Sequence, residues 1–172
     1  LNRYVLVDPA LSRKAKADYT GIVAVGLGPA PHKLVLEATA MRAEPMALID
    51  ALIAANRRWR PIWIGIEAVA FQKLLKPFLE FVARTRGIYL PVKDFKTDTT
   101  VSKPNRIRSL VPEFASGHIY LSRGMIELEH EIEGFPTAKD QHLLDALAYG
   151  PQLWMEAEDA EELAAEYEDD EL

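Results

Sequence analysis

The order in which the hydrophobic period changes along the chain is the feature that most constrains its fold. Three strand-like runs come first: "RYVLVDPA" from Arg3, "TGIVAVGL" from Thr20 and "HKLVLEATAM" from His32. Polar "SRKAKAD" and "GPAP" separate them as turn signals, and short turns between strands predict an antiparallel meander. The period then becomes helical over Glu44 to Arg58, "EPMALIDALIAANRR", with Pro45 near the first turn. "PIWIGIEAV" is a continuous apolar strand from Ile62, the pattern of a sheet centre covered on both faces, and it ends at Glu67. "AFQKLLKPFLEFVARTRG" is amphipathic and closed by Gly87, with Pro77 as the point for a kink. "IYLPV" is a fifth strand. The order is therefore β-β-β-α-β-α-β, without an internal repeat.

Beyond it, Asp94 to Ser102, "DFKTDTTVS", is expected to form an exposed loop or short hairpin. "KPNRIRSLVPEFASG" is a helix, and "HIYLS" a short strand or hairpin arm. "GMIELEHEIEGF" is an amphipathic helix with acids on its outer face, and "PTAKDQHLLDALAYGPQLWMEA" is the last helix. A chain of 172 residues is about one domain with a sizeable core. It has no cysteine, which excludes disulfides and zinc–thiolate sites. No run of apolar residues is long enough for a membrane span, and there is no signal peptide pattern or GxxxxGK[ST] phosphate loop. The chain opens at Leu1 directly into a strand, as expected of a domain cut from a longer protein or of a processed chain.

The net charge of −6 conceals two parts. Glu156 to Leu172 carries ten acids and no base, so residues 1–155 hold 16 acids against 20 bases, a net +4. The expected organisation is a mildly basic domain over 1–155 and an acidic tail over 156–172, a solvated helix end or disordered segment. A basic body suits a polyanionic partner.

Two acids end apolar strands: Asp8 after "YVLV" and Glu67 after "IWIGI". Strand ends on one sheet edge gather side chains at one place. Asp145 stands inside the apolar run "LLDALAY" of the last helix, where a carboxylate is costly to bury unless a cation meets it. Three carboxylates without a basic partner repel, and hard Mg²⁺ or Mn²⁺ relieves that repulsion. Each acid also has a plainer reading: Asp8 as a turn residue before Pro9, Glu67 as the cap of the helix starting near Ala70, Asp145 as a solvent-facing residue. Their conjunction favours a cation site.

The ordered set resembles the ribonuclease H-like superfamily, and more narrowly the C-terminal nuclease domain of the large terminase subunit of tailed phages. The matching pieces are "VLVDPA" with "ADYTGIVAVG", "IGIEAVAFQKLL", "KPNRIRSLVPEFASGHIYL" and "FPTAKDQHLLDALAY", spanning residues 3–154. The resemblance implies an α/β fold with a central mixed five-stranded sheet, its first three strands antiparallel, flanked by helices, and an extra hairpin or loop near residues 93–122. It implies two-metal hydrolysis of phosphodiesters in viral DNA concatemers during genome packaging. Asp8 would bridge two Mg²⁺ or Mn²⁺ ions, Glu67 would hold one, and Asp145, with or without His142, the other. Relatives often carry an Asp pair where this chain has Gln141 and His142; His142 and Asp145, at i and i+3, share a helix face. Asp18 is expected near the site, and Asp140 as the helix N-cap. Implied partners are double-stranded DNA, an ATPase domain of the same protein, the portal and the small terminase subunit, in the host cytoplasm with no membrane role. Other readings are a Holliday-junction resolvase, another ribonuclease H-like nuclease, or a non-catalytic module binding DNA or a partner.

Phosphate contacts are expected from two basic groups. Lys93, Lys96, Lys103, Arg106 and Arg108 stand against Asp94 and Asp98, a local excess of +3. Arg13, Lys14 and Lys16 follow Asp8. The plainer reading of both groups is a solvated charged loop.

Overall fold

The computed structural model of the chain describes residues 1–9, 19–29, 31–42, 44–96 and 100–154, with the side chains of Gln72 and Leu74 excepted. Six strands form one sheet in the order β5-β4-β1-β2-β3-β6. They are β1 Asn2–Asp8, β2 Thr20–Leu27, β3 Lys33–Met41, β4 Trp63–Glu67, β5 Val92–Phe95 and β6 Ile119–Leu121. β1 to β3 form the expected antiparallel meander. β4 joins β1, β5 joins β4, and β6 joins β3, all in parallel.

Strand alternation divides the core between the two faces of the sheet. Tyr4, Leu6, Val23 and Val25 point to one side, and Val5, Val7, Ile22 and Ala24 to the other. The second side is covered by α1 (Pro45–Trp59) and α3 (Lys76–Arg86), with Leu48, Ile49, Leu52 and Val82 buried against it. The first side is covered by α4 (Lys103–Arg108), α6 (Ile126–Gly134) and α7 (His142–Ala148), through Ile107, Leu128, Leu143 and Leu147. Double coverage explains why β1 and β4 read as unbroken apolar runs.

Between β4 and α3 lie a short α2 (Ala68–Ala70) and a π-helical turn over Phe71–Leu75. Pro77, expected as the point for a kink, lies in the first turn of α3, directly after this widened turn. Pro77 donates no amide hydrogen and crowds the preceding turn, so it is tolerated in the first turn of α3.

Three expectations are corrected. The fifth strand is Val92–Phe95 rather than residues 88–92: Pro91 can accept from Ile64 N (2.8 Å) but has no amide to donate, so strand pairing starts after it. The region near 93–122, expected as an extra hairpin or loop, forms no separate hairpin among its described residues. It folds as α4, α5 (Val111–Ala115) and β6, which extends the main sheet to six strands by pairing Lys33, Leu34 and Val35 with Ile119, Tyr120 and Leu121. Among the described residues the last α-helix is α7, His142–Ala148, shorter than expected and followed by a 3₁₀ turn over Gly150–Gln152.

The start of β3, beside β6, is tied to α5 by an ion pair, Lys33 Nζ donating to Glu113 Oε2 at 2.8 Å. The Lys33 hydrogen bond holds the Glu113 carboxyl below its ordinary range, against the opposing effect of burial. A lowered folded pKa means stability that is present above the unfolded pKa and lost as pH falls through the folded one. Glu113→Gln is therefore expected to cost at most about 1 kcal/mol near neutral pH, since the pair is partly exposed. Thermal melts of both proteins should converge in acid; a difference that grows toward acid would refute the assignment. No described helix is long and apolar enough to cross a membrane.

Candidate active site

β1 and β4 run in parallel with Val7 opposite Ile66, so the residues that follow, Asp8 and Glu67, leave the sheet side by side at one edge. On its other side Asp8 pairs with Gly21 of β2. A Cβ on Gly21 would overlap the carbonyl of His142. The first turn of α7 therefore rests on bare β2 backbone directly beside Asp8, and this close approach brings His142 and Asp145 to the strand ends. Gly21→Val is expected to push α7 off the sheet and to destabilise the fold by about 1–3 kcal/mol, the usual cost of overpacking. Denaturant unfolding measures it, and an unchanged midpoint would contradict this packing.

Asp145 is only 2% exposed. The solvent-facing reading of this residue is excluded, and its burial is compensated from α4. Arg106 Nε donates to Asp145 Oδ1 at 2.8 Å and Nη2 to Oδ2 at 3.0 Å, a two-pronged pairing. The same guanidinium lies 4.5 Å from the Tyr149 ring centroid. Burial works against its charge, but the hydrogen bonds to Asp145 and the charges around it prevail and raise the Arg106 pKa above its ordinary value. Lys103 Nζ lies 3.2 Å from Asp145 Oδ2 and 3.5 Å from Asp8 Oδ2, bridging the two carboxylates. His142 Nδ1 stands 3.8 Å from Asp8 Oδ2.

Glu67 has a second occupation. Its Oε2 accepts from the Ala70 amide at 2.9 Å and so caps α2, as its plainer reading held. Asp140 does not cap α7. The N-cap is Gln141, and Asp140 is exposed, its Oδ1 3.9 Å from His142 Nε2. The amides of the first turn go instead to Glu131 of α6. Its Oε1 accepts from His142 N (3.1 Å) and Leu143 N (3.2 Å), and its Oε2 from Leu144 N (2.9 Å). Glu131 is 7% exposed, so the expectation that all the α6 acids face outward is corrected at this residue.

Two neighbours extend the polar edge and were missed in the sequence reading. The Tyr19 ring lies 6.2 Å from that of His142, and the Arg42 guanidinium 4.5 Å from the Tyr19 ring. Among the expected phosphate contacts, Lys103 and Arg106 are on the acids. Lys93 is exposed, 5.4 Å from the Trp63 ring; Lys96 is exposed; Arg108 donates to Asn105 Oδ1 at 2.8 Å. Arg13, Lys14, Lys16 and Asp18 lie outside the described residues.

Among the described residues, no three His, Asp or Glu side chains are gathered closely enough to enclose a metal ion. The pair Asp8 and Asp145 nevertheless converges on one cation, the Lys103 ammonium. Carboxylate oxygens are the donors that suit Mg²⁺ or Mn²⁺, so Asp8 and Asp145 fit a hard divalent ion in kind, although Lys103 and Arg106 occupy them in this structure.

No family model and no curated protein sequence matches the chain. Among solved structures it is similar to the Mn-soaked nuclease domain of human cytomegalovirus terminase, with a TM-score of 0.61 and 15% identity, over 90% of this chain and 83% of that one. The fold is ribonuclease H-like. T. thermophilus RuvC in complex with a Holliday junction substrate also matches, with a TM-score of 0.44 and 13% identity over 85% of this chain and 89% of that one. In the ribonuclease H-like frame the expected meander, the parallel β4 and β5, and the helices on both faces all find their places.

Proposed function

We propose that this chain is a metal-dependent endonuclease that cuts double-stranded DNA, working as a terminase nuclease domain does on viral concatemers during genome packaging. The observation that carries the reading is the convergence of Asp8 and Asp145 on one cation at the strand edge where Glu67 also ends. The likeness in fold to a viral terminase nuclease domain supports it. Asp8 and Asp145 would hold the ions, with Glu67 contributing the oxygen not engaged by Ala70 and His142 its Nδ1. Two Mg²⁺ or Mn²⁺ ions, when bound, supply Lewis acidity toward the attacking water and the leaving 3′-oxygen. Lys93, Lys96 and Arg108, all exposed, would steady the phosphate backbone without reading sequence. Arg13, Lys14 and Lys16 are proposed for the same work. An ATPase domain of the same protein, the portal and the small terminase subunit, met in the host cytoplasm, complete the reading.

The test is cleavage of supercoiled plasmid, linear duplex, four-way junction and RNA–DNA hybrid in Mn²⁺ and Mg²⁺, with thermal stabilisation by each ion measured in parallel. Nicking of plasmid and linear duplex is expected. Cleavage confined to junctions or hybrids would instead favour a resolvase or another ribonuclease H-like nuclease. No cleavage and no stabilisation by either ion would favour a non-catalytic binding module.

A further inference from the structure

We infer that Lys103 and Arg106 of α4 serve two partners in turn: the carboxylates of Asp8 and Asp145 before divalent ions bind, and nucleic-acid phosphates afterwards. The inference rests on the metal-nuclease reading and adds a coupling that the reading alone does not require.

Lys103 and Arg106 stand at i and i+3, on one face of α4. Both reach the acids, but in different ways. Arg106 holds both oxygens of the buried Asp145. Lys103 is 37% exposed in its side chain, and its contacts of 3.2 and 3.5 Å are loose ion pairs. The ammonium sits where Asp8 and Asp145 jointly favour positive charge, and a divalent ion recruited by those oxygens needs that same place. The two cannot share it, because like charges at contact distance repel strongly in a partly dry site. Both oxygens of Asp145 accept from Arg106, and Oδ2 also faces Lys103, so an ion drawn to that carboxylate competes with both side chains for its lone pairs.

Displaced side chains carry their charges outward. Lys103 is already partly in solvent, and Arg108 on the same helix is exposed. A phosphodiester backbone at that surface presents the anionic oxygens the two side chains have lost. Ion binding should therefore raise nucleic-acid affinity, and nucleic acid should raise ion affinity by the same factor. A lysine that merely held the acids in place would behave in the opposite way, since its removal would weaken ion binding.

The experiment compares the wild-type chain with Lys103→Met, which keeps the side-chain length and removes the charge, and with Lys103→Arg. Substituting Arg106 risks unfolding by stranding a buried carboxylate, so the test rests on Lys103. Mn²⁺ affinity is read without nucleic acid from the free-ion electron paramagnetic resonance signal. Duplex affinity is read by fluorescence anisotropy with and without Ca²⁺. Lys103→Met is expected to bind Mn²⁺ about 10-fold more tightly than wild type, and Lys103→Arg to stay near wild type. Ca²⁺ should raise wild-type duplex affinity by about 5-fold or more, at the lower end of ordinary coupling, and that of Lys103→Met by clearly less. If wild type binds Mn²⁺ and Lys103→Met binds it equally or more weakly, the exchange is refuted and the nuclease reading stands. If neither protein binds Mn²⁺, both fall.

Discussion

Asp8→Asn should remove metal-dependent cleavage while leaving the chain folded. Asparagine matches aspartate in shape, and among the described residues the side chain of Asp8 has loose contacts, to Lys103 at 3.5 Å and His142 at 3.8 Å. Losing one carboxylate from the pair leaves Asp145 facing both cations, so stability should move by less than about 1 kcal/mol. Activity should fall by more than about 100-fold, the loss seen even for partners one step removed from a catalytic ion. Plasmid nicking in Mn²⁺, with a thermal melt as the control for folding, decides it. Nicking retained at the wild-type rate would remove Asp8 from the site. Glu67 allows a finer dissection because it also caps α2. Glu67→Gln keeps an oxygen for the Ala70 amide and loses the charge, whereas Glu67→Ala loses both. If Glu67 acts on the reaction, the two variants should be equally inactive but differ in stability by about 1 kcal/mol, the worth of a typical N-cap.

The largest expected effect on stability is at a residue with no proposed chemical role. Glu131→Ala leaves the amides of His142, Leu143 and Leu144 without their acceptor. Two of these bonds are fully buried, and a buried donor left unpaired costs roughly 1–3 kcal/mol. The sum is expected to be about 3–5 kcal/mol after relaxation, which for a chain of this length lowers the melting temperature by about 10 °C or more. Denaturant unfolding gives the number directly, and a loss below about 1 kcal/mol would mean that water or another group replaces Glu131. Because α7 carries Asp145, activity should fall with stability, and excess Mn²⁺ should restore part of both.

The strand order and the positions of Asp8 and Glu67 were legible because they follow from hydrophobic period, which local sequence carries. Asp145 was legible as an anomaly, a charge inside "LLDALAY", and the structure confirms its burial. Its compensating cation was not legible in kind. Nothing in the spacing of "KPNRIRS" says whether its bases face phosphates or acids, since that depends on how α4 docks on α7. Glu131 was hidden among Glu127, Glu129 and Glu133, all exposed acids of the same helix. A signal existed: Glu131 is three residues from Leu128, so both lie on the side turned to the core, and both are buried. The start of α7 was misplaced because "PTAKDQ" has no period of its own, and the helix begins where Glu131 can reach its amides.

That reach has a consequence for how the chain can vary. Glu131 grips main-chain amides, which every residue except proline presents alike. The cap thus demands nothing of the side chain at 142, whose neighbours are Tyr19 and Asp8 rather than the cap. Exchanging the histidine there, 3.8 Å from Asp8, would leave the three backbone bonds to Glu131 in place and change only what the side chain meets. The side chain that serves the strand ends and the acid that caps its helix are thus set by separate positions, 142 and 131.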